Sequence, residues 1–343
     1  MKYGLVFGAS SYEHEVSIVS AIALKDLLKD NVVFIFCDEQ REFYLISRKL
    51  LKSKLFSSGE YKKESRLTLK KGGFYQKSLL KESRVEFDVL INLVHGRDGE
   101  DGKMASLFNF FDIPFIGPGI EASVISYNKL YTKWYAKELG IKTVDYELLR
   151  KGEYSIKIPL PVIIKPLRLG SSIGVSIVKE ESELSYALDV AYEFDDKVLI
   201  EPFIDGVKEY NLAGCKGEDF IFSVVEEPQK EEFLDFDKKY LDFSRTKQVL
   251  EAKIDESLKQ KLHNSFKKIY ADMFEGALIR CDFFVIEGEV FLNEINPIPG
   301  SYANYLFEDF TDTIRELSNH LPAERKIDIN YAYIDSIQKA KGK

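Results

Sequence analysis

Apolar runs alternate with amphipathic stretches through the first third of the chain. Continuous apolar runs predict buried strands, and apolar residues that recur every three or four positions predict helices packed against them. Strands are therefore predicted at 3–7, 31–37, 85–94 and within 112–119, and helices at 15–28 and 104–111. This alternation predicts a parallel α/β sheet with functional loops at the carboxyl ends of its strands. Residues 49–80, rich in lysine and serine, predict only peripheral turns and edge strands.

Beyond residue 122 the predicted strands are shorter and indicate two further units. The second unit begins near Ser123 with a helix over 126–139, which Gly140 ends. Its other predicted elements are strands at 143–149, 161–166, 174–178 and 198–204 and a helix at 181–194. The third unit is predicted to hold strands at 209–215 and 220–228, a helix at 255–274 and a hairpin over 277–297. The charged and aromatic stretch 230–248 has little periodicity and predicts a mobile loop.

Composition and charge restrict the class of protein. A chain of 343 residues predicts two or three domains, and 45% hydrophobic residues suffice to form their cores. The net charge of −8 argues against nucleic-acid binding. Three scattered cysteines without a CxxC spacing predict reduced thiols and no metal knuckle. The sequence shows neither a signal peptide nor an apolar run of about 18 residues. It therefore predicts a cytoplasmic protein with no membrane contact.

The predicted hairpin over 277–297 carries polar side chains on both strands. Arg280 and Asp282 share one face of the incoming strand, and Glu294 and Asn296 share one face of the outgoing strand. An odd loop length or a β-bulge brings Asp282 opposite Glu294, whereas a two-residue Glu-Gly loop alone puts them on opposite faces. Two facing carboxylates favour a cation such as Mg²⁺, with the amide oxygen of Asn296 as a further ligand. The alternative is a polar face that simply meets water.

A loop rich in glycine and serine at 170–174 lies between two predicted strands. A P-loop or a dinucleotide fingerprint would open a helix instead, so the pattern favours a β-hairpin flap. Its backbone N–H groups and the hydroxyls of Ser171 and Ser172 can close over a polyphosphate. Lys165, just before the loop, would meet phosphate oxygens as a point charge. The alternative is an ordinary Gly-Ser hairpin.

Three weaker signals lie elsewhere in the chain. Glu201 and Glu209 flank a Pro-Phe-Ile turn that suits adenine and ribose, although such glutamates are more often solvated. Glu13, after the first strand, suits a substrate ammonium, and alternatively forms a capping box with Ser10. The sequence HGRDGEDG at 95–102 is either a solvated turn or a ligand loop at the carboxyl end of a strand.

Together these pieces resemble the D-alanine–D-alanine ligases of the ATP-grasp superfamily. The resemblance runs in order through FGASSYEHEVS, HGRDGEDG, KPLRLGSSIG, KKY, RCD and NEINPIPG, nearly the whole chain. It implies a three-domain ATP-grasp fold: an N-terminal α/β substrate domain, a central subdomain, and a C-terminal subdomain with a lid. The implied ranges are 1–122, 123–207, 208–343 and, for the lid, about 227–250. It also implies that ATP phosphorylates one D-alanine and that the amine of a second then attacks, giving the dipeptide used in peptidoglycan.

The resemblance also implies site residues, each carried over by its place in a motif. The ATP-binding residues are Lys129, Lys165, Ser171, Ser172, Glu201, Phe203, Ile204, Glu209 and Lys239. The ligands of two Mg²⁺ ions, for which Mn²⁺ can substitute, are Asp282, Glu294 and Asn296. The residues that bind the amino acids are Glu13, His95, Gly300, Ser301 and Tyr305. Arg280 stabilises the acyl phosphate and the oxyanion, and Tyr240 closes the lid through Ser171 to Glu13. A monovalent cation such as K⁺ and a homodimer are further implications.

The chain departs from the usual family pattern at several positions. Gly8–Ala9 replaces two glycines, Leu169 a glutamate, and Pro202 a lysine. Tyr305 stands where a serine usually holds the carboxylate of the second substrate. This departure bears on the affinity for the second substrate more than on the ATP chemistry. D-Lactate or D-serine as the second substrate is therefore an alternative, although Tyr240 in the lid favours an amine. Two further alternatives are a non-catalytic nucleotide-binding protein and an ATP-grasp enzyme for an unrelated carboxylate.

Overall fold

Three β-sheets organise the part of the chain that the computed structural model describes. The described residues are 1–29, 31–78, 81–228, 251–323 and 325–341. Lys239, Tyr240 and most of the predicted lid lie outside them. The mixed α/β class predicted from the sequence is confirmed.

The first sheet has eight strands in the order β6-β5-β4-β3-β2-β1-β7-β8. They are β1 (Tyr3–Gly8), β2 (Val32–Cys37), β3 (Phe43–Ile46), β4 (Ser65–Lys70), β5 (Gly73–Lys77), β6 (Glu82–Arg84), β7 (Val89–Asn92) and β8 (Phe115–Ile116). β1 pairs in parallel with β2 and β7, and β7 with β8, as the alternation predicts. β3 to β6 extend the sheet in antiparallel pairs. The stretch 49–80 thus forms an antiparallel extension in addition to turns.

Helices cover this sheet and lead into the second unit. They are α1 (His14–Leu27), α2 (Ser53–Ser57), α3 (Lys103–Phe110), α4 (Ile120–Tyr127) and α5 (Lys129–Glu138), with a 3₁₀ turn at Glu60–Lys63. The single helix predicted over 126–139 is wrong, because the chain breaks at Asn128. Its ψ of 106° is not helical, and its side chain accepts from the N–H groups of Leu130 and Tyr131. Asparagine is a preferred N-cap, so Asn128 begins a new helix.

The second and third sheets each have four antiparallel strands. The second, in the order β11-β10-β12-β9, consists of β9 (Glu147–Arg150), β10 (Val162–Pro166), β11 (Ser176–Val178) and β12 (Lys197–Pro202), covered by α6 (Glu181–Tyr192). The third, in the order β14-β13-β15-β16, consists of β13 (Lys208–Lys216), β14 (Phe220–Phe222), β15 (Ile279–Ile286) and β16 (Glu289–Asn296), covered by α7 (Glu256–Tyr270). Both sheets bury one face under a helix, and Ala213 and Cys215 on the third sheet also join the core of the first.

After β16 the chain returns to the core of the first sheet. A 3₁₀ segment at Gly300–Leu306 and helix α8 (Phe310–Asn319) follow, and α9 (Ile334–Lys341) comes last. Tyr302 is fully buried in the first core, and its hydroxyl donates to the carbonyls of Asn92 at 2.9 Å and Ile116 at 3.2 Å. The end of β7 and the segment after β16 are therefore tied together. The predicted division at residues 122 and 207 stays a prediction.

Two simpler expectations concern cysteines and membranes. Cys37, Cys215 and Cys281 are buried thiols without a disulfide, as their scatter predicts. In the described part of the chain, no helix has both the length and the apolar composition needed to cross a membrane.

Candidate active site

A β-bulge brings the polar side chains of the β15–β16 hairpin to one face. The turn, Glu287–Gly288, has two residues, and an unbroken ladder would therefore separate Asp282 from Glu294. Asn293 is an extra residue in β16, so the register shifts by one and Asp282 faces Glu294. The shared face forms because of the bulge, in spite of the two-residue turn.

Asp282 is held from two sides on this face. Arg280, which faces Asn296, donates from Nε and Nη2 to the two carboxylate oxygens at 2.7 and 2.8 Å. Asn296 Nδ2 donates to Oδ2 at 3.0 Å. Burial, opposed by Arg280 and reinforced by the charges of Glu294 and Glu209, raises the pKa of Asp282 to about 7. A buried carboxyl group beside other carboxylates favours a further cation.

Two lysines meet one buried carboxylate between β10, β12 and α5. Glu201 Oε2 accepts from Lys165 Nζ at 2.6 Å, and Oε1 forms an ion pair with Lys133 Nζ. Lys165 Nζ also donates to Oδ1 of Asn293, the bulge residue, at 3.3 Å. Burial opposes ionisation of Glu201, but the two lysines lower its pKa to about 2. The carboxylate is therefore charged, and it holds Lys165 beside the hairpin.

A cleft separates the hairpin from the loop at 170–174. Glu100, Lys129, Gly170 and Glu294 are among its lining residues. Lys129 stands in the first turn of α5 and donates to the carbonyl of Leu169. Burial lowers the pKa of Lys129, and the charge of Glu294 opposes that shift. The cleft thus combines buried positive and negative groups, as a site for a charged ligand requires.

The predicted flap is a β-hairpin that contacts the first unit. β10 and β11 pair from Val162 with Val178 up to Ile164 with Ser176. At its tip Ser171 and Ser172 adopt left-handed φ angles of 58°. The Ser171 hydroxyl donates to Oε1 of Glu13. The flap therefore closes one side of the cleft.

Glu13 is buried at the end of the loop after β1. The alternative capping box is wrong, because α1 begins at His14 without a side-chain cap and the Ser10 N–H donates elsewhere. Burial raises the pKa of Glu13, and the hydrogen bond from Ser171 opposes the rise. Among the described residues, its Oε2 has no hydrogen-bond donor. A buried carboxylate oxygen that receives no hydrogen bond suits an ammonium group.

The loop after β7 lies against Glu13. Gly96 has a φ of 66°, and a Cβ at this position would collide with the Glu13 carboxylate, so glycine is required. Asp98, 2% exposed, accepts from the N–H of Ser10 at 3.1 Å and from Nε and Nη2 of Arg41 at 3.0 and 3.1 Å. These contacts fasten the loop to the segment that carries Glu13. The solvated-turn alternative is therefore wrong.

His95 is buried between α1 and the segment after β16. Its Nε2 lies 3.0 Å from Ser20 Oγ, which accepts the N–H of Ser301 at 3.0 Å. Its Nδ1 lies 3.8 Å from the Glu100 carboxylate. Burial lowers the pKa of His95 to about 4, so the imidazole is neutral near pH 7.

Neutral His95 predicts a pH dependence of stability. The unfolded chain protonates this histidine near its ordinary pKa of 6.5, whereas the folded chain does so near 4. The contribution of neutral His95 to the free energy of unfolding is therefore complete above pH 6.5. It is lost as the pH falls to 4, by up to about 3 kcal/mol. Urea unfolding between pH 7 and pH 4 measures how the free energy of unfolding falls with pH. This slope should be smaller in His95→Gln than in the wild type. His320→Gln, at an exposed histidine, should keep it; equal slopes in all three proteins would contradict the prediction.

The segment after β16 contains a left-handed turn. Ser301, Tyr302 and Ala303 have φ angles of 49°, 54° and 49°, which L-residues adopt only when their surroundings impose them. Ser301 Oγ is buried and lacks a hydrogen-bond partner among the described residues. The Tyr305 hydroxyl lies beside the Arg280 guanidinium, while 43% of the residue is exposed. The turn thus lies between the Arg280 face and His95.

The connection between β12 and β13 carries two of the predicted ATP-binding residues. Phe203 and Ile204 are half-buried there, and the Phe203 N–H donates to the carbonyl of Pro161 at 2.9 Å. Glu209 on β13 shares a sheet face with Asp282, because Asn211, two residues on, pairs with Asp282.

Three residues in or near the cleft were missed by sequence reasoning. Lys133 follows Lys129 by four positions on α5, so helical spacing could have indicated it. Glu100 belongs to the acidic loop after β7 but was not singled out within it. Asn293 gives no local signal, because its role depends on strand pairing.

Comparisons with known proteins agree over the whole chain. The family models described as D-ala D-ala ligase N-terminus and C-terminus match residues 2–118 and 135–312. The D-alanine–D-alanine ligase of Sulfurovum sp. is 61% identical, with all of both chains covered; that of Nitratiruptor sp. is 60% identical, with 99% of this chain and all of the relative covered. The crystal structure of the Helicobacter pylori ligase superposes with a TM-score of 0.85 at 52% identity, covering 95% of this chain and 100% of that one. The ATP-grasp fold is thereby confirmed, and the chain belongs to the D-alanine–D-alanine ligase family.

Proposed function

We propose that the chain is an ATP-dependent ligase that joins two D-alanine molecules for peptidoglycan precursors. The observation that carries the proposal is the buried Glu13 carboxylate. Its Oε2 lacks a donor among the described residues, and it lies beside a flap of the kind that covers phosphates. The electrostatic influence of Lys129 and Glu294 reaches it. An amino acid whose ammonium meets Glu13 would present its carboxylate towards these charges.

ATP lies between the second and third sheets in this proposal. Phe203 and Ile204 offer adenine apolar surface and backbone groups, and Glu209 accepts from ribose hydroxyls. Lys129 and Lys165 neutralise phosphate charge. The flap, with the hydroxyls and N–H groups of Ser171 and Ser172, covers the phosphates.

Divalent cations suit the donor set on the β15–β16 face. Asp282 and Glu294 face each other in register, and burial, followed by the charges of Glu294 and Glu209, raises the pKa of Asp282. In the described ranges no three Asp, Glu, His or Cys side chains converge on a metal position, so the site relies on two carboxylates and the amide of Asn296. Bound Mg²⁺ supplies neutralisation of phosphate charge. Substitution by Mn²⁺ and stimulation by K⁺ belong to the proposal and are tested by metal exchange.

Two displacements complete the proposed reaction. A carboxylate oxygen of the first D-alanine attacks the γ-phosphorus of ATP and ADP leaves. The amine of the second D-alanine then attacks the carbonyl carbon, the amine proton is lost and phosphate leaves. Arg280 neutralises the acyl phosphate and the tetrahedral oxyanion, and Glu13 holds the first ammonium. Water would hydrolyse the acyl phosphate, which explains why a flap and a lid are required.

A coupled assay of ADP release tests this proposal against its alternatives. D-Alanine, D-serine and D-lactate are offered separately as second substrates between pH 6 and 9, and products are identified by mass spectrometry. D-Alanyl-D-alanine as the main product supports the proposal. Preference for D-lactate at neutral pH, or ADP release independent of any amino acid, contradicts it.

Tyr305 is proposed to bind the second D-alanine together with Arg280 and the turn at Gly300 and Ser301. Tyr305→Phe removes one hydroxyl beside a guanidinium and is expected to raise KM for the second D-alanine about tenfold. KM for ATP should stay within about twofold, because the nucleotide lies elsewhere. Tyr186→Phe, at a residue that is 77% exposed, is the matched control. If Tyr305→Phe leaves KM for the second D-alanine unchanged, Tyr305 does not bind that substrate.

A cytoplasmic location and a homodimer complete the proposal. ATP as a substrate supports the location, and family membership supports the dimer. Sedimentation velocity at micromolar concentration tests the assembly, since a single species of 39.4 kDa would contradict a dimer.

A further inference from the structure

Glu201, Lys165 and Lys133 form a buried group with one more positive than negative charge. The side chains of Lys133 and Glu201 are 2% and 3% exposed, and that of Lys165 is 12% exposed. Each carboxylate oxygen of Glu201 serves one lysine. One cation would suffice to neutralise Glu201, so the second lysine requires an explanation.

The two lysines differ in what else they can reach. Lys165 also donates to Asn293, the bulge residue, which lines the cleft beside Glu294. The side chain of Lys133, one helical turn after Lys129 on α5, is 2% exposed and pairs with Glu201. A phosphate group entering the cleft can therefore meet Lys165 but not Lys133.

An ammonium group has three N–H donors, so Lys165 can bind a phosphate and keep Glu201, but its single charge is then shared between two anions. A buried carboxylate that is incompletely neutralised is strongly unfavourable, so Glu201 with Lys165 alone would oppose ATP binding. A second cation that stays beside Glu201 removes that obstacle.

We propose that Lys133 is a positioning residue that keeps Glu201 neutralised while Lys165 shares its charge between Glu201 and the ATP phosphates. This inference rests on the proposed function, because it assigns Lys165 to ATP. Lys133 acts through Glu201 and Lys165 and does not contact the nucleotide. Its removal should therefore weaken ATP binding only as long as Glu201 is charged.

A double-mutant cycle tests this coupling. Titration with a fluorescent ATP analogue and Mg²⁺, together with steady-state kinetics, is applied to wild type, Lys133→Met, Glu201→Gln and the double variant. Lys133→Met should weaken nucleotide binding about tenfold to a hundredfold, and KM for D-alanine should change less than about twofold. Adding Glu201→Gln to Lys133→Met should restore most of the lost affinity. Lys137→Met, at an exposed position one turn further along α5, is the matched control.

The outcomes separate this role from a merely structural one. Unchanged affinity in Lys133→Met, or equal losses with and without Glu201→Gln, would overturn the inference while leaving the ligase proposal intact. If Lys133→Met does not fold, the double variant, which removes one charge of each sign, provides the test. Near wild-type affinity for the nucleotide in that variant supports the inference, and a hundredfold loss overturns it. Wild-type protein that fails to bind the analogue would overturn both the inference and the proposed function.

Discussion

Glu294→Gln is expected to lower amino-acid-dependent phosphate release by about 10²- to 10³-fold. The side chain faces Asp282 across the β15–β16 ladder and lines the cleft. Glutamine keeps the shape but removes the negative charge that a divalent cation needs, so phosphoryl transfer loses charge neutralisation. The assay measures phosphate release with saturating ATP and D-alanine over a range of Mg²⁺ concentrations. The apparent Mg²⁺ requirement should rise as activity falls.

Glu289→Gln on the same strand provides the matched control for this experiment. Glu289 is an exposed residue that pairs with Lys142 and Lys261 outside the cleft. Surface pairs of this kind contribute little to stability, and activity should remain near that of wild type. Equal activity of both variants would revive the alternative of a non-catalytic nucleotide-binding protein.

Arg280→Lys is expected to lower kcat by about 10²- to 10³-fold with a smaller change in KM for ATP. Lysine keeps the charge but loses the fork that holds both Asp282 oxygens at 2.7 and 2.8 Å. In the proposed reaction it also loses the directed donors for the acyl phosphate and the oxyanion, which act mainly in the transition state. Single-turnover measurement of dipeptide formation separates this loss from slower product release.

The surface pair of Arg66 and Glu42 supplies the comparison for Arg280. Arg66→Lys makes the same chemical change where the side chain is 64% exposed, and kcat should be unaffected. A thermal-melting comparison shows whether Arg280→Lys is still folded. A folded Arg280→Lys protein with wild-type kcat would exclude the proposed catalytic role.

The elements with regular periodicity could be predicted from the sequence, and the bulge could not. β1, β2 and α1 lie within one residue of their predicted bounds, because their buried faces impose a clear period. The hairpin over 277–297 was also predicted, but its two-residue turn alone indicated the wrong register. Asn293, which is left unpaired in the bulge, shifts the register by one, and local sequence carries no record of that choice.

The candidate site shows the same limit at the level of side chains. Family resemblance identified the acids and lysines that lie near the cleft, and the comparisons confirm the family. The ion pair of Lys133 with Glu201 was missed, since their contact needs two elements to meet. The capping box was wrong because a tertiary bond from Ser10 to Asp98 replaced the local one. Lys239 and Tyr240, beyond the described ranges, keep their roles as predictions.

The buried Tyr302 determines which distances in the site are fixed. It fastens the segment after β16 to the carbonyls of Asn92 and Ile116, within the core that also holds α1, the helix directly after Glu13. Ser301 and Glu13 are thus attached to one core, whereas Lys165, proposed to bind ATP, lies on β10 of the second sheet. In the proposed reaction, the two amino acids would therefore be positioned in part by one shared core, through Glu13 and Ser301, whatever the second sheet does.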